Sequence, residues 1–228
     1  MAIEQVMQEL EALGTEQNRN VYEKHGVSGA MYGVSFGNLR PLAKKHSNNH
    51  ELAIALWEPA NHDARILATL IADPAKADND LVDSWANDID NYILADELAR
   101  YISISNLARP KMELWIQSEN EWLGRLGWKL AALLAMSGAG VQDTTFAKYL
   151  YIIEKEIHQQ PNRKREAMND ALIAIGIRNE NLRSLALDVA ARVGAVDVDH
   201  GDTNCKTPKA LPYINKTWER RAKKSQPA

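Results

Sequence analysis

Trp115-Ile-Gln-Ser-Glu-Asn-Glu-Trp-Leu-Gly-Arg-Leu-Gly-Trp-Lys-Leu-Ala-Ala-Leu-Leu-Ala-Met136 carries the pattern that decides the fold. From Glu121 on, Leu123, Leu126, Leu130 and Leu133 return at helical spacing, while Arg125 and Lys129 share a separate face. Apolar residues recur in the same way in both directions, and the two-residue alternation expected of strands is nearly absent. The chain is therefore expected to be all-α.

Ile3, Val6, Met7 and Leu10 make a first stripe that Gly14 stops, and Thr15 caps a second helix reaching residue 25. After a glycine-rich connection over 26–37, the spacing predicts helices over 38–46, with Pro41 in the first turn, and over 51–57, 62–72, 78–86, 91–103 and 111–117. Others follow over 121–136, 143–158, 162–177 and 180–193. Short helices joined by tight turns suit a stack of antiparallel pairs, an α-solenoid whose second helices line a concave groove. No clean sequence period is present, so the repeats are degenerate. The expected organisation is one repeat domain over 1–195, then a polar segment with turn chemistry and a short basic helix over about 214–224.

Composition narrows the function. Hydrophobic residues are 45% and charged residues 25% of the 228, which suits a folded chain. A formal net charge of −3 excludes a global footprint for nucleic acid, so any such site must be local. Basic residues gather at Arg40, Lys44 and Lys45, at Arg163, Lys164 and Arg165, and in the tail from Lys206 to Lys224; the plain reading of each cluster is a solvated helix face. One cysteine, Cys205, permits no internal disulfide and suits a reducing compartment. The acidic, amphipathic N-terminus does not read as a signal peptide, and the longest mostly apolar run, 130–136, is too short for a bilayer. A cytoplasmic monomer without membrane contact is expected.

Chemistry-bearing residues cluster in few places. Tyr92 and Asp96 lie four apart on one helix, with Arg100 a further turn on. The plain reading is an Asp96–Arg100 surface pair of a few tenths of a kcal/mol. The five potential ligands Asp197, Asp199, His200, Asp202 and Cys205 match no zinc or calcium spacing, so no metal is expected. His25, His46, His50, His62 and His158 form no ligand pairs and read as helix-end or surface residues.

The segment Trp115-Ile-Gln-Ser-Glu-Asn-Glu-Trp-Leu-Gly-Arg125 resembles the HEAT-repeat DNA alkylation repair family, the AlkD-like alkylpurine DNA glycosylases. Weaker likeness in the family's order is carried by Gly33-Val-Ser-Phe-Gly-Asn-Leu-Arg-Pro-Leu-Ala-Lys44, by Leu56-Trp57 with the following helix through Ala64 and Ala68, and by the Tyr92–Asp96 element. The resemblance implies HEAT-like helical pairs, duplex DNA with alkylated bases as partner, no cofactor, and hydrolysis of the N-glycosidic bond of cationic alkylated purines. It matches Asp96 to the family's catalytic carboxylate and Arg125 to its cleft arginine. Arg125 and Lys129, with Arg163, Lys164 and Arg165, are then expected to hold phosphates.

Tyr92 falls where active members carry tryptophan, and Met168-Asn169-Asp170-Ala171 offers no counterpart to a second cleft tryptophan. The alternatives are a non-catalytic binder of damaged or branched DNA and a protein-binding helical scaffold.

Overall fold

The computed structural model describes residues 2–138 and 140–224. Among them helices account for all regular structure: α1 (Ala2–Leu13), α2 (Glu16–Lys24), α3 (Phe36–Lys45), α4 (His50–Trp57), α5 (His62–Ile71), α6 (Asn79–Asn87), α7 (Tyr92–Ser103), α8 (Ala108–Trp115), α9 (Glu121–Ser137), α10 (Asp143–Glu156), α11 (Asn162–Gly176), α12 (Glu180–Val193) and α13 (Ala210–Lys224), with 3₁₀ turns at Pro74–Lys76 and Ile157–Gln159.

Local capping sets most starts. Thr15, Ser35, Asn49, Asn61, Asp78, Asn91, Asn120 and Asn179 each accept the backbone N–H of the residue three further on, satisfying a donor that the first turn leaves open. Three starts differ from the sequence expectation, each around a proline. Ser35 starts α3 at Phe36, so Pro41 stands inside the helix and not in its first turn. Pro110 and Pro212 sit in the opening turns of α8 and α13, where a missing N–H is harmless, so these helices begin at Ala108 and Ala210.

The chain divides into two compact units: residues up to Ala108 with His200–Asn204, and Arg109–Asp199 with the residues from Cys205 on. The expected domain limit at residue 195 is not where they divide. In the first unit α5 is central, packed against α3, α4 and α7. Ile66, Leu67 and Ala68 of α5 and Leu94, Leu98 and Ile102 of α7 are fully or almost fully withdrawn from water. Asp63, at 0% exposure, accepts the backbone N–H groups of Tyr32, Gly33 and Val34 at 2.6, 3.0 and 2.8 Å. Three donors satisfy a carboxylate that burial would otherwise penalise heavily. They also pin the glycine-rich connection onto α5. Gly33 has φ +80°, and a Cβ there would meet the Thr15 carbonyl oxygen at 2.5 Å, so glycine is required.

In the second unit α9 and α11 form the most extensive helix pair, and α11 also carries α12 and α13. The segment after α12 wraps back on α11. The Asn162 amide bonds Asp199 twice, at 2.8 Å in each direction, Arg165 donates to the Asp197 carbonyl at 2.9 Å, and Asn169 donates to the Pro208 carbonyl at 3.0 Å.

His62, expected at a helix end or the surface, opens α5 but is only 4% exposed, and neither ring nitrogen has a hydrogen-bond partner among the described residues. Burial pushes its imidazole below the ordinary value, against the opposing pull of Asp63 and Asp90. The unfolded chain, titrating near pH 6.5, takes up a proton that the folded one refuses. Stability is thus full above about pH 6.5 and is lost as pH falls from there toward the lower folded value. Urea denaturation between pH 5 and 7.5 should show this slope, and the His62→Leu protein should show a flatter one.

Candidate nucleic-acid interface

In the first unit, Tyr92 opens α7 and Asp96 follows one turn later, both half-buried. The Tyr92 hydroxyl lies 2.5 Å from Nδ1 of His25, with the rings edge-to-face at 6.0 Å between centroids. His25 stands at the end of α2 and donates its own backbone N–H back to the last turn. It escaped the sequence reading because 67 residues separate it from its partner, and no spacing rule connects them. The expected Asp96–Arg100 pair does not form; Arg100 bonds Glu97 at 3.0 Å instead. The carboxylate, aromatic ring and imidazole are thus gathered at the opening of α7.

The second unit places the remaining candidates differently. On consecutive turns of α9, Glu121, Arg125 and Lys129 meet consecutive turns of α11. Glu121 accepts the Arg163 backbone N–H at 2.6 Å, Arg125 pairs with Glu166 at 2.8 Å, and Lys129 pairs with Asp170 at 3.0 Å. Both series ascend together, so the two helices run parallel. Glu121 supplies an acceptor at an α11 start that Pro161 cannot cap with a side chain. Arg125 also donates to the Arg163 carbonyl at 3.0 Å, and Glu166 accepts from the Arg163 guanidinium at 3.0 Å.

These placements revise the expected phosphate contacts. Arg125, at 1% exposure, is a buried strut and presents no surface to a phosphate. Lys164 is 5% exposed, its ammonium bonded to the Ser118 carbonyl at 2.8 Å, and burial holds it below the ordinary lysine value. Arg165 clasps the Gln160 and Asp197 carbonyls. Lys129 and Arg163 keep side-chain exposures of 16% and 13%, each already paired to a carboxylate. In the stretch without a second tryptophan, Met168, Asn169 and Ala171 are buried in α11, while Asp170 is partly exposed.

Even the glycines of the opening motif serve packing. A Cβ on Gly127 would meet the Ile116 nitrogen at 2.4 Å, and one on Gly124 would meet the Lys164 stem at 2.5 Å. The Trp115–Arg125 signature therefore records how α8, α9 and α11 close on one another.

Replacing Arg125 by Met should lower stability by about 3 kcal/mol, because it leaves the Glu166 carboxylate under-compensated where water is scarce. Urea denaturation measures the loss, and adding Glu166→Gln should recover part of it. An Arg125→Met protein as stable as the parent but deficient in DNA binding would return Arg125 to the interface.

The family model described as "DNA alkylation repair enzyme" matches residues 6–214. Uncharacterized proteins of Listeria innocua and Listeria monocytogenes are each 29% identical over 96% of this chain and 99% of their own. A solved structure from "a new family of proteins related to the HEAT-like repeat DNA glycosylases with affinity for branched DNA structures" aligns with TM-score 0.86 and 32% identity, covering 96% of this chain and 94% of that one. The all-helical fold is that of the HEAT-like repeat DNA glycosylase relatives, and the chain belongs to the DNA alkylation repair enzyme family.

Proposed function

We propose that this protein binds duplex DNA and hydrolyses the N-glycosidic bond of cationic alkylated purines, with Asp96 as the working carboxylate. The observation that carries the reading is the placement of Asp96 one helical turn from the aromatic ring of Tyr92, in a chain of this family.

The chemistry asks little of the protein. A purine alkylated at a ring nitrogen is already cationic, so breaking the C1′–N bond releases a neutral base and needs no general acid. Positive charge gathers on the sugar, and a fixed carboxylate lowers the energy of that oxocarbenium-like state. Water then adds to C1′ and its proton passes to solvent. Tyr92 supplies a cation-attracting face of about 0.5–2 kcal/mol, weaker than indole. His25 fixes the ring by holding its hydroxyl. Lys129 and Arg163, the partly exposed members of the expected phosphate set, are the second unit's candidates for backbone contact.

A second reading is a binder of branched DNA that releases no base. It is supported by the burial of Met168 and Asn169 where a second aromatic wall is lacking, and by the described affinity of the solved relative.

One experiment separates the two. Methylated duplex DNA and a four-way junction are incubated with the protein, and both free alkylpurine and bound DNA are measured. Base release that falls about 100-fold or more in Asp96→Asn, with binding kept, supports hydrolysis. Tyr92→Trp should raise the rate. Junction binding without release supports the second reading, and absence of both leaves a protein-binding scaffold.

A further inference from the structure

Charge is distributed unevenly along this chain. Residues 206–224 contain seven of its 27 lysines and arginines and one acidic residue, a local charge of +6 in a chain of −3, so the remainder carries −9. Most of the positive segment is α13.

The inner face of α13 is firmly seated. Ala210 and Ile214 are buried, and Ile214 fills the space that a side chain at Gly176 would need, its Cδ1 lying 2.6 Å from where that Cβ would be. The Trp218 indole donates to the Gly176 carbonyl at 2.9 Å, and Arg221 donates to the Ile177 carbonyl. The opposite face is cationic. Lys209 just before the helix, then Tyr213, Lys216, Arg220 and Lys223, recur every three or four residues and are all exposed, with Lys224 beside them. Among the described residues none of these five side-chain cations forms an ion pair or hydrogen bond, unlike those of the α9–α11 ladder.

We infer that the outer face of α13 docks on the sugar–phosphate backbone of DNA. The inference rests on the DNA-binding function proposed above. From Lys209 to Lys223 the stripe spans about 21 Å at 1.5 Å per residue, which matches about six nucleotides of one strand at 3.4 Å each. Cations repeating along such a line suit a repeating line of phosphates and read no sequence. The half-exposed Tyr213 adds a hydroxyl and a ring to the same face. An anionic bilayer fits less well, because Ile214 and Trp218 pack on α11 and the exposed large apolar side chains of α13 are Leu211 and Tyr213, too few for the apolar band that an interfacial helix inserts.

The test uses the full chain carrying Lys216→Gln, Arg220→Gln and Lys223→Gln together. Its helicity and melting temperature should match the parent's, since the three side chains make no bonds to lose. Binding to a fluorescein-labelled duplex is titrated at several salt concentrations. The variant should bind about tenfold or more weakly at 0.1 M salt, with a log–log salt slope shallower by about 2 to 3, near 0.9 for each phosphate that is no longer neutralised. An unchanged slope in a parent that binds DNA overturns this inference and leaves the DNA reading standing. A parent that binds neither duplex nor junction removes both. Loss of binding to phosphatidylserine vesicles with an unchanged DNA slope overturns the inference in favour of a membrane partner.

Discussion

The second unit depends on the charged ladder between α9 and α11. Its central rung, Arg125 with Glu166, is nearly dry, and removing charges of this kind from water is costly unless every donor and acceptor is matched. The matching comes from repetition: Glu121, Arg125 and Lys129 occur every four residues and meet Arg163, Glu166 and Asp170 at steps of three and four. Two parallel helices can keep such a register only when they pack closely, and Gly124 leaves room for the Lys164 stem of α11, while Gly127 makes room for the backbone at Trp115 and Ile116. A neighbouring stripe of α11, Asn162, Arg165 and Asn169, then holds the returning C-terminal strap.

What is legible in the sequence is what the chain decides locally. Thr15 caps α2 where the sequence places it, and the apolar stripes place most helices to within a turn. Proline is the local signal that misleads, since Pro110 and Pro212 lie in opening turns and not between helices. The candidate site is less legible because its chemistry is settled over distance. Nothing at i+4 announces that Arg125 will find Glu166, 41 residues away, or that Tyr92 will find His25. A cation aligned with a functional position thus reads as exposed when the fold has already neutralised it.

The family likeness and the chemistry consequently reside in different residues. Trp115 through Arg125 serve packing: a buried indole, a turn that bonds Lys164, a capping asparagine, a glycine at a close approach and a dry guanidinium. Such a signature can persist in relatives whose reactive positions have changed, because the scaffold fails without it. Asp96 and Tyr92 lie outside it, so similarity along the motif reports the frame more directly than an activity.

Asp63 has a consequence for motion. Its carboxylate serves three successive backbone donors, so freeing the connection over 26–35 from α5 breaks all three bonds and leaves a buried charge unsatisfied. Their amide protons should therefore share one opening event in hydrogen exchange. The same connection begins at the end of α2, immediately after His25, whose imidazole holds the Tyr92 hydroxyl. A carboxylate with no exposed surface thereby anchors the segment that leads away from the imidazole beside Tyr92.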